Sequence, residues 1–581
     1  MPYLKRLSPS YLQRLSPWWL VVIISCVGVL LRLHQYLLDR SLWIDEAFVA
    51  INLLNRGYGE LLLPLDYNQG APYGFLVIER LAVDMFGTSE WVLRLFPFVS
   101  GLAALFLFIR VASYFCTKVG LTVSLALLAL CDRAIYYGSE LKQYSSDLML
   151  ALLLYVFLIA LLPKLNPVSS PLSSGRVSSG SLSSSHLSSD RVAWRSCFVF
   201  AGIGAIAVWI SHPAVFIIAG TGLWLMGEAA IAHRWPRMIK YAVAFGLPAI
   251  SFLCFYVISI SKLVDNDALQ QSWSEGHGSF MPLPPTSLNE LKWFFDSFFT
   301  TFNYPVGISL TGIAALMFVL GAITLWQRQR QTFGLLMLPV TVTLFASGLN
   351  KYPFKGQLLL FLVPTILMVI GWGVSTLWQW GRQARPESRS EDWPEDRSEG
   401  MWLSAAITLL LLIYPVYHAA LNLNDPSIPP SFEYQRVRED IKPVLAHIQA
   451  RWQAGDTLYV YYPSQYALRY YGDRYGFDLA AALPETTPEI TEVPYSGPWY
   501  QPALASSTPP LVIGQYAREN WSITEQEIEQ LDGRVWALFS HAYDRRSDLD
   551  EEDVFLYLLT RRGSQLDSYQ SVEAAAYLYQ F

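Results

Sequence analysis

Two carboxylates stand side by side in SLWIDEAFVAINLL (41–54), Asp45 and Glu46, just after a long apolar run. Ionised groups near lipid are costly and tend to be functional, and a positioned carboxylate can take the proton of a hydroxyl. Adjacent helix residues point about 100° apart. The pair therefore does not face itself across a substrate as glycosidase carboxylates do. One of the two suits a general base, and the other suits a residue that orients it or holds a cation. The same acids also fit a helix N-cap with a first-turn acid, worth about 0.3–1 kcal/mol.

A second polar group lies in IYYGSELKQYSSDLML (135–150), where Glu140, Lys142, Tyr144 and Asp147 border an apolar run. A lysine ammonium there can donate to a lipid-linked phosphate; it equally suits a snorkelling side chain with a local ion pair. Arg94 offers a further cation for a phosphate, and Glu140 and Tyr144 complete a candidate phosphate-binding set. His212, in ISHPAVF, sits between two apolar runs and could ligate a metal or a phosphate, though a lone His before Pro also fits a purely structural role. Glu46 and His212 are the weak metal candidates, with Mg or Mn as the divalent cation such a site would take.

These groups need a scaffold, and composition sets its class. Of 581 residues, 53% are hydrophobic and 15% charged, where a soluble protein carries roughly a quarter charged. Twenty Trp, 33 Tyr and 31 Phe suit interfacial belts as well as cores. A net charge of −6 gives no reason to expect a nucleic-acid partner. The five cysteines, Cys26, Cys116, Cys131, Cys197 and Cys254, lie in or beside apolar runs and form neither a disulfide framework nor a zinc spacing.

Runs of about 20 apolar residues, enough to cross a ~30 Å hydrocarbon core, number about eleven. They lie near 18–38, 94–114, 119–137, 145–162, 193–211, 213–231, 238–260, 306–326, 332–349, 358–380 and 401–420. The basic opening MPYLKRLSPSYLQRLSP precedes the first run without a small-residue cleavage site after it, so that run reads as an uncleaved first helix. Lys and Arg then fall in alternate loops: Lys5, Arg6 and Arg14; Lys118; Lys164, Arg176 and Arg191; Arg234, Arg237 and Lys240; Arg328 and Arg330; Arg382, Arg385 and Arg389. The positive-inside bias makes that side cytoplasmic. It places 39–93, 138–144, 211–212, 261–305, 350–357 and the chain after 420 on the outer side.

Residues 166–190, rich in Ser, Gly and Pro, read as a flexible cytoplasmic loop, and the mixed-charge tract 381–400 as a disordered one. Within the first outer loop, PYGFLVIERLAVDMFG has the spacing of an amphipathic interfacial helix, with apolar residues at 75, 76, 78, 81, 82, 85 and 86 and Glu79, Arg80 and Asp84 elsewhere. The tail 421–581 alternates short apolar strands (456–462, 510–514, 534–540) with helices at 433–453 and 464–471. Two more helices are ITEQEIEQL, with Thr524 and Glu527 as a capping box, and DLDEEDVFLYLLTRRG, with Asp548 and Glu551 in the same arrangement. Gly533 and Gly563 are the expected stops. The fold class expected is thus a polytopic α-helical membrane protein, residues 1–420, followed by an extracytoplasmic α/β domain, 421–581.

LWIDEAFVA, APYGFLVIERLAVDMFGTSEWVLRLFPFVSG and YYGSELKQYSSDLML, taken in order, resemble the membrane glycosyltransferases of the GT-C superfamily. Within it the chain looks like the protein-mannosyltransferase and ArnT-like set, family 39, and the RgtA-to-RgtD-like enzymes, in a cyanobacterial-type version. The likeness is clearest over 40–160 and extends through FMPLPPTSLNELKWFFDSFF (280–299) and KYPFKGQLLLFLVP (351–364). It implies a GT-C-like fold in a bacterial plasma membrane and sugar transfer from a polyprenyl-phosphate donor to an extracytoplasmic glycan, lipid or protein. By that likeness Asp45 is the catalytic base and Glu46 its neighbour in the acidic motif. Three departures stand out. Lys142 occupies a position where relatives often carry Arg, Gln357 another, and NQGAPYG (68–74) replaces a His-Pro-Pro. A transporter or flippase of lipid-linked sugars is the rival reading, and a non-catalytic assembly factor a further one. Carriers hide charges in mid-membrane, whereas the ionisable residues here cluster at span ends.

Overall fold

The computed structural model describes residues 18–162, 194–264, 278–383, 399–424, 439–477, 511–514, 521–541 and 551–581. The basic opening 1–17, the Ser-rich tract 166–190 and most of the charged tract 381–400 lie outside the described residues.

Among the described residues, fourteen helices of ten residues or more precede the sheet domain. They are α1 (Trp18–Leu37), α2 (Ile44–Asn55), α3 (Tyr73–Phe86), α4 (Leu95–Phe115), α5 (Lys118–Leu130), α6 (Tyr144–Ile159), α7 (Trp194–Ile210) and α8 (Ala214–Ile231), then α9 (Trp235–Phe255), α10 (Leu288–Asn303), α11 (Thr311–Arg328), α12 (Arg330–Gly348), α13 (Val363–Gln383) and α14 (Glu399–Asn424). The stretches built on α1, α4, α8, α9 and α11 to α14 are each long and apolar enough to cross a membrane. The chain is a multi-pass helical membrane protein.

Every apolar run expected to span falls on a helix, with two departures in geometry. The run 119–137 is broken after α5 and bends by 55° into a short helix. The break is served by Arg32 of α1, 2% exposed, whose Nη1 donates to Gly28 O (3.0 Å) and Ala129 O (3.2 Å) and whose Nη2 donates to Leu128 O (3.2 Å). In lipid, carbonyls released at a helix end need a donor from the protein. Helices α6 and α7, 16 and 17 residues long, fall short of the ~20 residues of a full crossing.

The bundle centres on α13, since every residue from Leu359 to Thr376 is buried. Small residues let its neighbours approach. A Cβ at Gly373 would lie 2.0 Å from Met317 O of α11, and one at Gly321 of α11 would lie 1.9 Å from Val369 O. Segments that the Lys/Arg pattern groups together do meet at one end of this bundle. Ser41 reaches Asp440, Tyr137 reaches Tyr304, Tyr304 reaches Gln357, and the Tyr73 ring meets Trp209.

Helix α3 departs from the expected pattern. Phe75, Leu76 and Val83 are buried, but Leu81, Met85 and Phe86 point outward, and Glu79 is fully buried among the former. Neither Glu79 oxygen has a hydrogen-bond partner among the described residues. Burial alone pushes its carboxyl well above the ordinary carboxylate range.

The C-terminal part holds α15 (Lys442–Arg451), β1 (Thr457–Val460), α16 (Ser464–Tyr471), β2 (Leu511–Ile513), α17 (Trp521–Gln530), β3 (Arg534–Ser540), α18 (Glu551–Arg562), β4 (Ser564–Ser571) and β5 (Ala574–Gln580). The sheet order is β2-β1-β3-β5-β4, with β1 parallel to β2 and β3, and β5 antiparallel to β3 and β4. Three strands coincide with the expected ones; β4 and β5 were not anticipated. The helix expected over 433–453 is described over Lys442–Arg451, its start at 433–438 lying outside the described residues. Thr524 and Glu527 do not cap a helix. α17 already begins at Trp521, Thr524 is buried within it, and Glu527 accepts from Tyr459 OH at 3.1 Å. Asp548 lies outside the described residues.

Alternation sorts the strands. Tyr459, Val535, Ala537, Phe539, Tyr577 and Tyr579 pack with Ile528, Phe555 and Leu559 on one side of the sheet. Leu458, Val460, Trp536, Leu538, Ala576 and Leu578 face the other, with Val444, Leu445 and Ile448 of α15 and Leu468 of α16. That second core does not stop at the sheet domain. It continues into Leu42, Val49, Ala50 and Leu53 around α2, and Phe75, Leu76 and Val83 of α3.

Candidate functional site

Helix α2 starts at Ile44, so Asp45 and Glu46 occupy its first turn, with Trp43 as the N-cap and no side-chain capping bond. Their divergence decides their surroundings. Glu46 points inward and is 0% exposed. Arg94 grips it bidentately, Nε donating to Oε1 (2.8 Å) and Nη2 to Oε2 (2.6 Å), while Leu141 N also donates to Oε1 (2.8 Å). Arg94 further donates to Arg40 O (2.7 Å) and Ser41 O (3.1 Å). Burial alone would raise the Glu46 carboxyl, but the charges of Arg94 and Arg40 and the Leu141 amide overcome it and hold the group below its ordinary value. Glu46 and Arg94 thus join α2, the residues just before it, the start of α4 and the 139–142 segment into one clamp.

Asp45 points the other way. Its side chain is 36% exposed, and its Oδ2 lies 4.0 Å from the Nζ of Lys142, which is itself 9% exposed. That ammonium also donates to Gln69 Oε1 at 2.6 Å. Gln143 Nε2 donates to the neighbouring Gly70 O at 3.2 Å, so the 66–70 and 140–143 segments are stitched together twice. Glu140 accepts from Trp43 Nε1 at 2.9 Å. Asp45, Lys142, Glu140 and Tyr144 therefore come together, with Glu46 and Arg94 directly behind them.

Tyr304, Tyr137 and Arg133, which the sequence did not single out, complete the surface together with Gln357. Tyr144 receives a hydrogen bond from the Gln357 side chain. Gln357 Oε1 accepts from Tyr304 OH (2.9 Å), which pairs with Tyr137 OH (2.6 Å). The Arg133 guanidinium lies 4.7 Å from the centre of the Tyr304 ring. These positions lie up to 224 residues apart (357 against 133), and no local spacing could have linked them.

Phe302 and Leu359, each two residues along the chain from Tyr304 and Gln357, border an apolar cavity of about 570 Å³ together with Trp293 and Phe298 of α10, Phe318 of α11 and Phe354. Helix α10 opens with a capping box, Ser287 Oγ accepting from Glu290 N (3.2 Å) and Glu290 accepting from Ser287 N (3.1 Å). Its outer residues Leu288 and Phe295 are 84% and 70% exposed, as suits a helix resting in a bilayer interface.

His212 is elsewhere. Its ring stacks on Phe255 at 5.7 Å, away from Glu46. The donor set at the acid pair does not fit a divalent ion. Asp45 faces an ammonium, Glu46 is spent on Arg94, and among the described residues no three His, Cys, Asp or Glu side chains converge.

Compared with known proteins, the sequence matches no family model and no curated protein. Among solved structures, the chain is similar to ArnT from Cupriavidus metallidurans bound to undecaprenyl phosphate, at 12% identity and a TM-score of 0.47, over 97% of this chain and 98% of that one. It is also similar to the archaeal oligosaccharyltransferase AglB from Archaeoglobus fulgidus, in complex with an inhibitory peptide and a dolichol-phosphate. There the identity is 14% and the TM-score 0.49, over 97% of this chain and 74% of that one.

Proposed function

We propose that this chain is a membrane glycosyltransferase that moves a sugar from a polyprenyl-phosphate donor to a hydroxyl of an extracytoplasmic acceptor, at the bundle end bearing Asp45. The observation that carries the reading is the half-open Asp45–Lys142 pair, in a chain that also holds an aromatic cavity lined by α10, α11 and the 354–359 segment. A base, a cation and an apolar seat together match a donor with a greasy anchor, a phosphate and a reactive sugar carbon. The sequence resemblance to GT-C enzymes over 40–160 favours the same reaction.

In this mechanism the acceptor oxygen attacks the anomeric carbon and its proton passes to an Asp45 carboxylate oxygen. The bond between that carbon and the phosphate oxygen breaks, and its electron pair leaves with the polyprenyl phosphate. The Lys142 ammonium, with Tyr144 beside it, stabilises the developing charge. Displacement by a single base from the face opposite the phosphate inverts the sugar carbon. Glu46 and Arg94 hold α2 and the 139–142 segment in register, and touch neither reactant. The isoprenoid anchor lies along the cavity formed by α10, α11 and the 354–359 segment. The Lys/Arg distribution directs this end of the bundle to the outer face of a bacterial plasma membrane.

The test is transfer in proteoliposomes loaded with a radiolabelled polyprenyl-phosphate sugar. Asp45→Asn, which keeps the shape and removes the base, lowers turnover by about 10²–10⁴-fold while expression and insertion are unchanged. Turnover within a few-fold of the parent protein refutes the assignment.

A further inference from the structure

The sheet domain reaches the site through α16. Tyr471 OH accepts from Leu42 N at 2.8 Å, and the Tyr466 ring meets Phe48 at 4.8 Å and Tyr67 at 5.1 Å. Arg469 makes the most direct link: its Nη1 donates to Tyr67 OH at 2.8 Å while its Nη2 donates to Gln465 Oε1 at 3.1 Å.

Tyr67 and Asn68 have φ angles of +63° and +50°. Side chains with a Cβ rarely adopt this conformation, which persists where surroundings enforce it. The loop itself fixes the start of the turn. Asn52 brackets Asp66, accepting from its N (2.9 Å) and donating to its O (3.3 Å), and Arg56 pairs with its carboxylate at 2.8 Å. Beyond Asp66, the Tyr67 hydroxyl is anchored from the sheet domain. The next residue after the left-handed pair is Gln69, the hydrogen-bond acceptor of Lys142.

We propose that Arg469 is a positioning residue. By holding Tyr67 in the left-handed turn, it fixes Gln69 and through it sets the Lys142 ammonium beside Asp45. The sheet domain then completes the site without touching a reactant. An arginine fork suits the task because it spans two acceptors at once, Tyr67 OH and Gln465 Oε1, whereas a lysine offers a point charge without that fixed fork. The consequence for catalysis rests on the transferase reading; the placement of Lys142 does not.

Two readouts on the full-length protein in nanodiscs separate these. The first is the acylation rate of Lys142 by a water-soluble amine-reactive ester, followed by mass spectrometry. Arg469→Ala and Tyr67→Phe each raise it by roughly fivefold or more, the double variant raises it no further because both break one link, and Arg469→Lys falls between. An unchanged rate in Tyr67→Phe and Arg469→Ala, or additive effects in the double variant, overturns the proposal. Should Arg469→Ala fail to fold, Tyr67→Phe carries the test alone, since it keeps the ring stack and loses only the hydroxyl. The second readout is kinetic: the Lys142 ammonium stabilises charge that develops on the leaving phosphate, so both variants lower kcat and kcat/KM for the lipid-linked donor by about tenfold. Parent-like kcat and kcat/KM alongside a raised labelling rate overturn the route through Lys142. Undecaprenyl phosphate serves as the binding probe. If the parent protein neither binds it nor turns over, the transferase reading falls, and the labelling result still decides the placement of Lys142.

Discussion

At the scale of the residue, two neighbours of one chemical type are separated by environment. Asp45 stays accessible beside a lysine, while Glu46 is sealed against Arg94, and a step of about 100° along a helix is all that divides them. A third acid shows the reverse electrostatics. Glu439, 2% exposed, lies close to Ser540 and the backbone of Ile44, next to Asp45, and burial pushes its carboxyl up to about 8. Its folded value lies above the unfolded one, so between about pH 4.5 and about pH 8 the folded state holds a proton that the unfolded chain has lost. Stability contributed by this group is complete below the lower value and declines as pH rises through that window. Glu439→Gln, which stays neutral, is expected to flatten the fall of the thermal midpoint over this range. Parallel melting curves of parent and variant between pH 5 and about 8 would sink that account.

At the scale of the element, the long apolar helices were legible because length and hydropathy are local properties. The break after α5 was not, because it depends on Arg32, 97 residues before Ala129, arriving to satisfy freed carbonyls. Strands β4 and β5 escaped for a related reason. β4 reads SQLDSYQS and is mostly exposed, and AAAYLYQ in β5 suits a helix as well as a strand until it is paired with β3. The tight seam of α11 and α13 gives a prediction of its own. Gly373→Ala puts a methyl 2.0 Å from Met317 O and is expected to cost about 1–3 kcal/mol or more through overpacking. Gly246→Ala, with nothing within 4 Å, serves as the neutral control. Equal melting temperatures of the two variants in detergent would contradict the close approach.

At the scale of the whole molecule, the sheet domain and the first large loop share a single apolar core, reinforced by polar links. Ser41 Oγ donates to Asp440 (2.6 Å), Arg474 pairs with Glu90 (3.0 Å), Lys442 bridges Asp39 (3.2 Å) and Glu90 (3.6 Å), and Tyr470 donates to Thr88 O. Such a domain is part of the site's foundation. A chain ending at Asn424 would leave Leu42, Val49, Ala50 and Leu53 uncovered, the Leu and Val side chains each worth about 1.5–3 kcal/mol of burial. Hydrogen exchange is expected to show residues 41–55 losing most of their protection in that truncation while α11 and α13 keep theirs. Retained protection over 41–55 would mean the loop folds without the sheet.

The sequence by itself determined the apolar helices, the grouping of loops at one end of the bundle and the helix bearing Asp45 and Glu46, because these follow from composition and short-range periodicity. It also brought Lys142, Glu140 and Tyr144 into view as a polar cluster. Only the tertiary structure decided which acid stays open and which is locked, that Gln69 holds Lys142, and that Tyr304 pairs with both Gln357 and Tyr137. It alone placed Arg469 against Tyr67. Each of these is a contact between segments distant in the chain, and its geometry is set by how whole helices and a sheet pack, which no local pattern encodes.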